Sequence, residues 1–164
     1  MTQSELIVRV ALEGAILAVP LIVAAFLLSR FTRDVYGRAL LAIFLFVAAG
    51  AYVGFAILGR DALGTPGVWA LVEIGQVVVI GGIGLLGLRG SPNWLALGWA
   101  LHPFWDVLLH YLGPGDSFTP WTYAIACVGF DWLVAAYIVL AYRFGLVGDR
   151  RSQRREAARQ PAAG

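Results

Sequence analysis

Five apolar stretches, each about as long as a bilayer is thick, follow one another with almost nothing between them. They run from Leu6 to Leu28, Ala39 to Leu58, Val68 to Leu88, Asn93 to Leu112 and Trp121 to Tyr142. A helix rises 1.5 Å per residue, so roughly 17 to 25 apolar residues cross the ~30 Å of hydrocarbon. Backbone groups in lipid must be bonded internally, and the alternation that barrel strands require is missing. The pattern predicts an all-α membrane protein, a bundle of five transmembrane helices over residues 1–142. The connections SRFTRDVYGR, GRDALGTPG, RGSP and GPGDSFTP leave no room for an extramembrane domain. The start, MTQSE, has no basic region, so the first stretch reads as a span and not a secretory signal. Composition agrees: 13% charged residues is about half the ~25% of soluble domains, and a mean hydropathy of +0.78 with 13% aromatic residues excludes disorder and argues against a soluble enzyme. One cysteine excludes a disulfide framework or a Cys-rich metal site.

Arginine placement orients the bundle. The first connection carries Arg30, Arg33 and Arg38 against Asp34, the third carries Arg89, and the C-terminal segment carries Arg143, Arg150, Arg151, Arg154, Arg155 and Arg159. The second connection balances Arg60 with Asp61, and the fourth has only Asp116. The positive-inside rule then places the C-terminus in the cytoplasm and the N-terminus outside, as an odd helix count requires. The expected location is a cell inner membrane, multi-pass. Residues 143–164 read as a basic, disordered cytoplasmic tail resting on anionic lipid, where each basic residue gains about 1 kcal/mol. Membrane lipids are thus the expected partners, and nucleic acid is not.

Six acidic or histidine residues fall inside these spans, where an ionised side chain costs on the order of 2.5–3.5 kcal/mol. Counted from the outer helix ends, Glu13 and Glu73 lie roughly 10 and 8 Å deep, Asp106 about 9 Å, His110 about 3 Å, and His102 and Asp131 near 15 Å. All six occupy the outer half, which implies a polar cavity open to the outside if they face one another. His102, Asp106 and His110 recur at i, i+4 and i+8, drifting through only about 80° of an α-helix and so forming one stripe. Pro103 crowds the carbonyl of Trp99 and is expected to bend that helix. Glu73 and Gln76 share a face of the third helix. Gly75, Gly81, Gly84, Gly87 and Gly90 permit close helix approach there, and Gly50 with Gly54 forms a GxxxG match.

Two chemistries fit these groups. As metal ligands, His102, Asp106 and His110 suit zinc, iron or manganese, since thiolates are missing. The two histidines lie about 12 Å apart along an α-helix, so one ion needs Glu73, Asp131 or Glu13 to complete its ligands. As a proton network, Asp106, Asp131, His102 and Glu73 are the candidate catalytic acids and bases, their affinities tuned by burial. Local alternatives exist: Arg9 is placed to pair with Glu13, and His110 is shallow enough to reach water or headgroups. Trp99, Trp105 and Trp132, with Gln76, are candidates to line a substrate pocket. Trp69, Trp94 and Trp121 sit at helix ends, where interfacial belts place them. Cys127 reads as a packed small hydrophobe.

The segment LHPFWDVLLHY, with its His-Pro-x-Trp-Asp-x-x-x-His pattern from His102 to His110, resembles a group of small uncharacterised integral membrane proteins of bacteria. That resemblance implies no activity. Three functions are compatible with the residues: an enzyme acting on a lipid or isoprenoid substrate, a small proton-coupled carrier or solute-binding protein, and an accessory subunit of a membrane complex. A homo-oligomer is compatible with each.

Overall fold

A computed structural model describes residues 2–58 and 66–148. Among them there are five long helical segments and no strand: α1 Gln3–Phe31, α2 Asp34–Leu58, α3 Pro66–Arg89, α4 Pro92–Trp105 and α5 Trp121–Arg143. Arg60 and Asp61 of the second connection, and the arginines from Arg150 onward, lie outside the described residues. Helices α1, α2, α3 and α5 are long and apolar enough to cross a membrane. The fourth stretch is built differently. α4 has only 14 residues and continues into a π-helix, Asp106–Tyr111, followed by a short 3-10 turn at Pro114–Ser117.

Local sequence explains the helix ends. Thr2 and Glu5 form a reciprocal capping box, the Glu5 amide donating to Thr2 Oγ1 (3.3 Å) and the Thr2 amide to Glu5 Oε2 (2.7 Å). Ser91 caps α4 ahead of Pro92, whose missing N–H falls where the helix has no use for one. At the end of α5, Gly145 takes a left-handed φ of 62°. That turn lets Leu146 donate to the Ala141 carbonyl (2.9 Å) and Gly145 to that of Tyr142 (3.2 Å), a Schellman motif. The chain therefore folds back, and Val147 is buried. Of the segment 143–164 read as a tail, residues 149–164 lie outside the described residues.

The helices close into a ring in chain order, each packed on its sequence neighbours and α5 returning to α1. Leu45, Leu95, Trp99, Val134 and Ile138 fill its centre, while Leu12, Ile16, Val47, Leu71, Val78 and Leu108 are more than half exposed on the outside. Such an apolar exterior has no aqueous rationale. Without a hydrophobic force between helices in lipid, contact rests on close packing. Its tightest point is α1 against α5: a Cβ on Gly14 would run into the Ala126 carbonyl, and one on Gly129 into that of Ala11. Gly81, Gly84 and Gly87 face Phe46, Leu45 and Leu95, as close approach requires. Gly50, Gly54 and Gly75 border open space. The GxxxG pair is thus no seam within this chain, because α2 turns Ala49 and Tyr52 inward instead.

At the end where the first connection lies, Arg38 Nη1 donates to the carbonyls of Gly87 (2.9 Å) and Gly90 (3.1 Å), satisfying the last turn of α3. Its Nε lies 2.9 Å from Asp34 Oδ2, and Tyr142 donates to Asp34 Oδ1 (2.6 Å). One arginine thus clasps α2, α3 and, through Asp34, α5. A Gly129→Leu substitution is expected to destabilise the bundle by about 1–3 kcal/mol or more. Gly50→Ala should be neutral or gain up to about 1 kcal/mol in helix propensity. Thermal unfolding in detergent checks both.

Candidate functional site

Antiparallel neighbours bring the end of α2, the start of α3, the end of α4 with its π-helix and the start of α5 to one end of the ring. Five of the six ionisable residues meet there: Glu73, His102, Asp106, His110 and Asp131, all fully buried. Glu13 does not join them. It is exposed on the outside of α1 and paired with Arg9 at 2.8 Å, the local ion pair its spacing allows.

The core of the cluster is His102 between two carboxylates. Its Nδ1 lies 2.7 Å from Asp131 Oδ2 and 3.5 Å from Asp106 Oδ2. One donor atom each from His102, Asp106 and Asp131 can be chosen so that all lie within 4.8 Å of one another. A second group sits alongside. His110 Nε2 is 3.5 Å from Glu73 Oε1, Thr119 Oγ1 is 3.2 Å from His110 Nδ1, and the Trp105 indole donates to Glu73 Oε2 at 3.2 Å. Tyr52 joins the two groups: its ring stacks on His110 (centroids 3.9 Å, planes 9° apart) and lies 5.9 Å from His102.

The π-helix explains how His110 enters. In an α-helix each four-residue step overshoots a full turn by about 40°, so His110 would have drifted away from His102. From Asp106 on, the hydrogen bonding widens to i→i+5, as Leu112 donating to the Val107 carbonyl (2.9 Å) shows. Four residues then fall short of a full turn, and the drift is partly undone. Of the stripe His102, Asp106 and His110, the first two converge with Asp131, one of the carboxylates expected to complete the ligands, while His110 lies beside Glu73.

His110 is not at a wet surface. The connection after the π-helix folds over it: Phe118 meets the ring edge-on at 5.7 Å, and a Cβ on Gly115 would collide with Nδ1. The cavity expected to open outward is therefore roofed, and neither histidine is exposed. Of the proposed pocket residues, Gln76 is buried in the cluster end of α3 and Trp105 is half-buried against Glu73. Trp99 belongs to the apolar core, against Phe130, and Trp132 is 49% exposed on the exterior beside Phe104. Neighbours on a helix point about 100° apart, and with Asp131 turned inward the Trp132 ring falls on the outward side. Tyr52, Thr119 and Gly115 had no signal in the sequence, where a tyrosine in an apolar helix reads as an aromatic hydrophobe.

Polar atoms of seven cluster residues are buried with no hydrogen-bond partner among the described residues: Tyr52, Glu73, Gln76, His102, Asp106, His110 and Asp131. Both Asp106 oxygens, His102 Nε2 and Asp131 Oδ1 are among them. No arginine forms an ion pair with these carboxylates among the described residues; Arg9 and Arg38 are engaged elsewhere. Each unsatisfied buried polar atom costs on the order of 1–3 kcal/mol, and an unpaired carboxylate more. A divalent cation would satisfy several at once. Ligands at about 2.0–2.2 Å stand roughly 3.3–3.8 Å apart around one ion, so a separation of 4.8 Å would have to close by about 1 Å.

The family comparison matches residues 13–144, a segment that contains every member of the cluster. The chain belongs to the DUF6010 family, a family of unknown function. No curated protein and no solved structure matches it. The site must therefore be interpreted from its own chemistry. Because the chain has two histidines and both are enclosed, neither should react with diethylpyrocarbonate in the folded protein. Gly115→Val should lift the roof and make His110 reactive while His102 stays protected, read by peptide mass spectrometry.

Proposed function

We propose that this chain crosses the membrane five times and holds a divalent metal ion on His102, Asp106 and Asp131, where it serves chemistry on a lipid or isoprenoid substrate. The fifth crossing is α4 with its π-helix, which together run without interruption from Pro92 to Tyr111, long enough at 1.5 Å per residue for most of the hydrocarbon. The arginine bias supports an N-terminus outside and a C-terminus in the cytoplasm of a bacterial inner membrane. A C-terminal fluorescent reporter should then be active and a C-terminal alkaline phosphatase inactive; the reverse would invert the orientation.

The observation that carries the metal reading is the convergence of one imidazole and two carboxylates with unsatisfied buried oxygens. Two carboxylates and a neutral imidazole carry a charge that a divalent cation cancels. The donor set suits zinc, iron or manganese. Glu73 and His110, just beyond the ligands, are placed to hold and pass a proton to a reacting group. Trp105 supports entry from the lipid side, because it is half-buried, bonded to Glu73, and adjacent to the exposed Phe104. An acyl or isoprenoid chain passing that indole would reach the cluster without crossing water.

Protein purified in detergent without chelator should carry about one zinc, iron or manganese ion per chain. Asp106→Ala and Asp131→Ala should each lower this at least tenfold with helix content unchanged. Metal retained in both variants would contradict the assignment. The enclosed His102–Asp131 contact at 2.7 Å favours a second reading, a proton-loading site of a small carrier. Protein without metal whose proteoliposomes respond to a pH gradient, with the response lost in Asp131→Asn, would establish that reading instead.

A further inference from the structure

At the opposite end of the ring from the cluster, a cleft of about 770 Å³ opens between the end of α1, the start of α2 and the segment after α5. Ser29, Arg30, Thr32 and Arg33 form one wall, Asp34, Val35 and Arg38 the second, and Leu146, Val147 and Gly148 the third. Its size falls within the roughly 300–1,000 Å³ of small-ligand clefts. The fold builds it from particular residues. Gly37 brings α2 onto Ser29, since a Cβ there would collide with the serine hydroxyl. The left-handed Gly145 turns the chain back so that Val147 closes the third wall.

The charge balance within the cleft is uneven. Asp34, its one acid, is spent on Arg38 Nε and the Tyr142 hydroxyl. Arg38 is held by Asp34 and by the carbonyls of Gly87 and Gly90. Arg30 and Arg33 are exposed and form no ion pair among the described residues. Three guanidiniums against one neutralised carboxylate leave a net positive cleft whose free donors match tetrahedral oxyanions. Exposed Phe31, Tyr36, Phe144 and Leu146 lie on the same segments, the aromatic and apolar collar found where a bundle meets headgroups. Basic clefts between helices at the cytoplasmic boundary are a recurrent headgroup site.

We infer that this cleft binds a phosphate group through Arg30 and Arg33, with Arg38 fixing its floor, the phosphate being that of an anionic phospholipid or free inorganic phosphate. The inference rests on the membrane reading above but is independent of the metal. Native mass spectrometry of the full chain in a neutral detergent, titrated with phosphatidylglycerol and with phosphatidylcholine, tests it. The wild type should retain phosphatidylglycerol in preference to phosphatidylcholine. The double variant Arg30→Ala/Arg33→Ala, altered only at exposed side chains, should bind phosphatidylglycerol about tenfold or more weakly. Displacement of the lipid by inorganic phosphate alone would assign the site to free phosphate, and resistance to displacement would assign it to the headgroup. Equal retention of the two lipids, or unchanged phosphatidylglycerol binding in the double variant, would overturn the inference. Detergent phase partitioning of the same preparations reads the membrane assignment separately: a wild-type chain found in the aqueous phase would defeat that assignment, whatever the lipid titration shows.

Discussion

A carboxylate shut away from water must find a positive partner, give up its charge by taking a proton, or stay unsatisfied at a cost that a small bundle cannot repeat many times. Glu73, Asp106 and Asp131 are all enclosed in this chain, and no arginine pairs with them among the described residues. Each subgroup has one histidine: His102 stands with both aspartates, His110 with Glu73. The shape of the rest of the molecule follows from keeping that arrangement closed. Tyr52 fills the space between the imidazoles, Phe118 and Gly115 roof one of them, and Trp105 stops the side toward lipid.

Closing a ring of helices around polar groups requires tight seams elsewhere, and glycine supplies them where backbones touch. Gly14 and Gly129 let α1 and α5 approach to backbone contact, and Gly98 sits between Leu45 and the backbone of α3. The far end is fastened by polar bonds: Arg38, Asp34 and Tyr142 tie three helices together.

Much of this was legible in the residues. Apolar runs located the helices to within a few residues, since length and hydropathy act on each segment independently. The depth count put Glu73, His102, Asp106, His110 and Asp131 in the same half of the bilayer, and they do meet. Spacing alone failed wherever a side chain's fate depended on a neighbouring helix. Glu13 was as deep as the others, yet its position on α1 turns it outward to Arg9. Trp132 adjoins Asp131 in sequence and faces the other way. A constant 100° per residue does not hold through the π-helix from Asp106, and which helix supplies the third donor beside His102 and Asp106, Asp131 of α5, depends on packing that spacing along one helix does not contain. The small-residue pattern misled at Gly50 and Gly54, because a GxxxG match marks a surface able to pack without saying that anything packs on it.

We propose that the enclosed imidazole and carboxylates hold a cation. X-ray absorption at the zinc, iron and manganese edges of protein taken directly from membranes measures this without altering a residue. A single metal edge with a first shell of nitrogen and oxygen at about 2.0–2.2 Å, including the outer scattering of one imidazole, is the predicted result. No edge above background, or a shell containing sulfur, would contradict it.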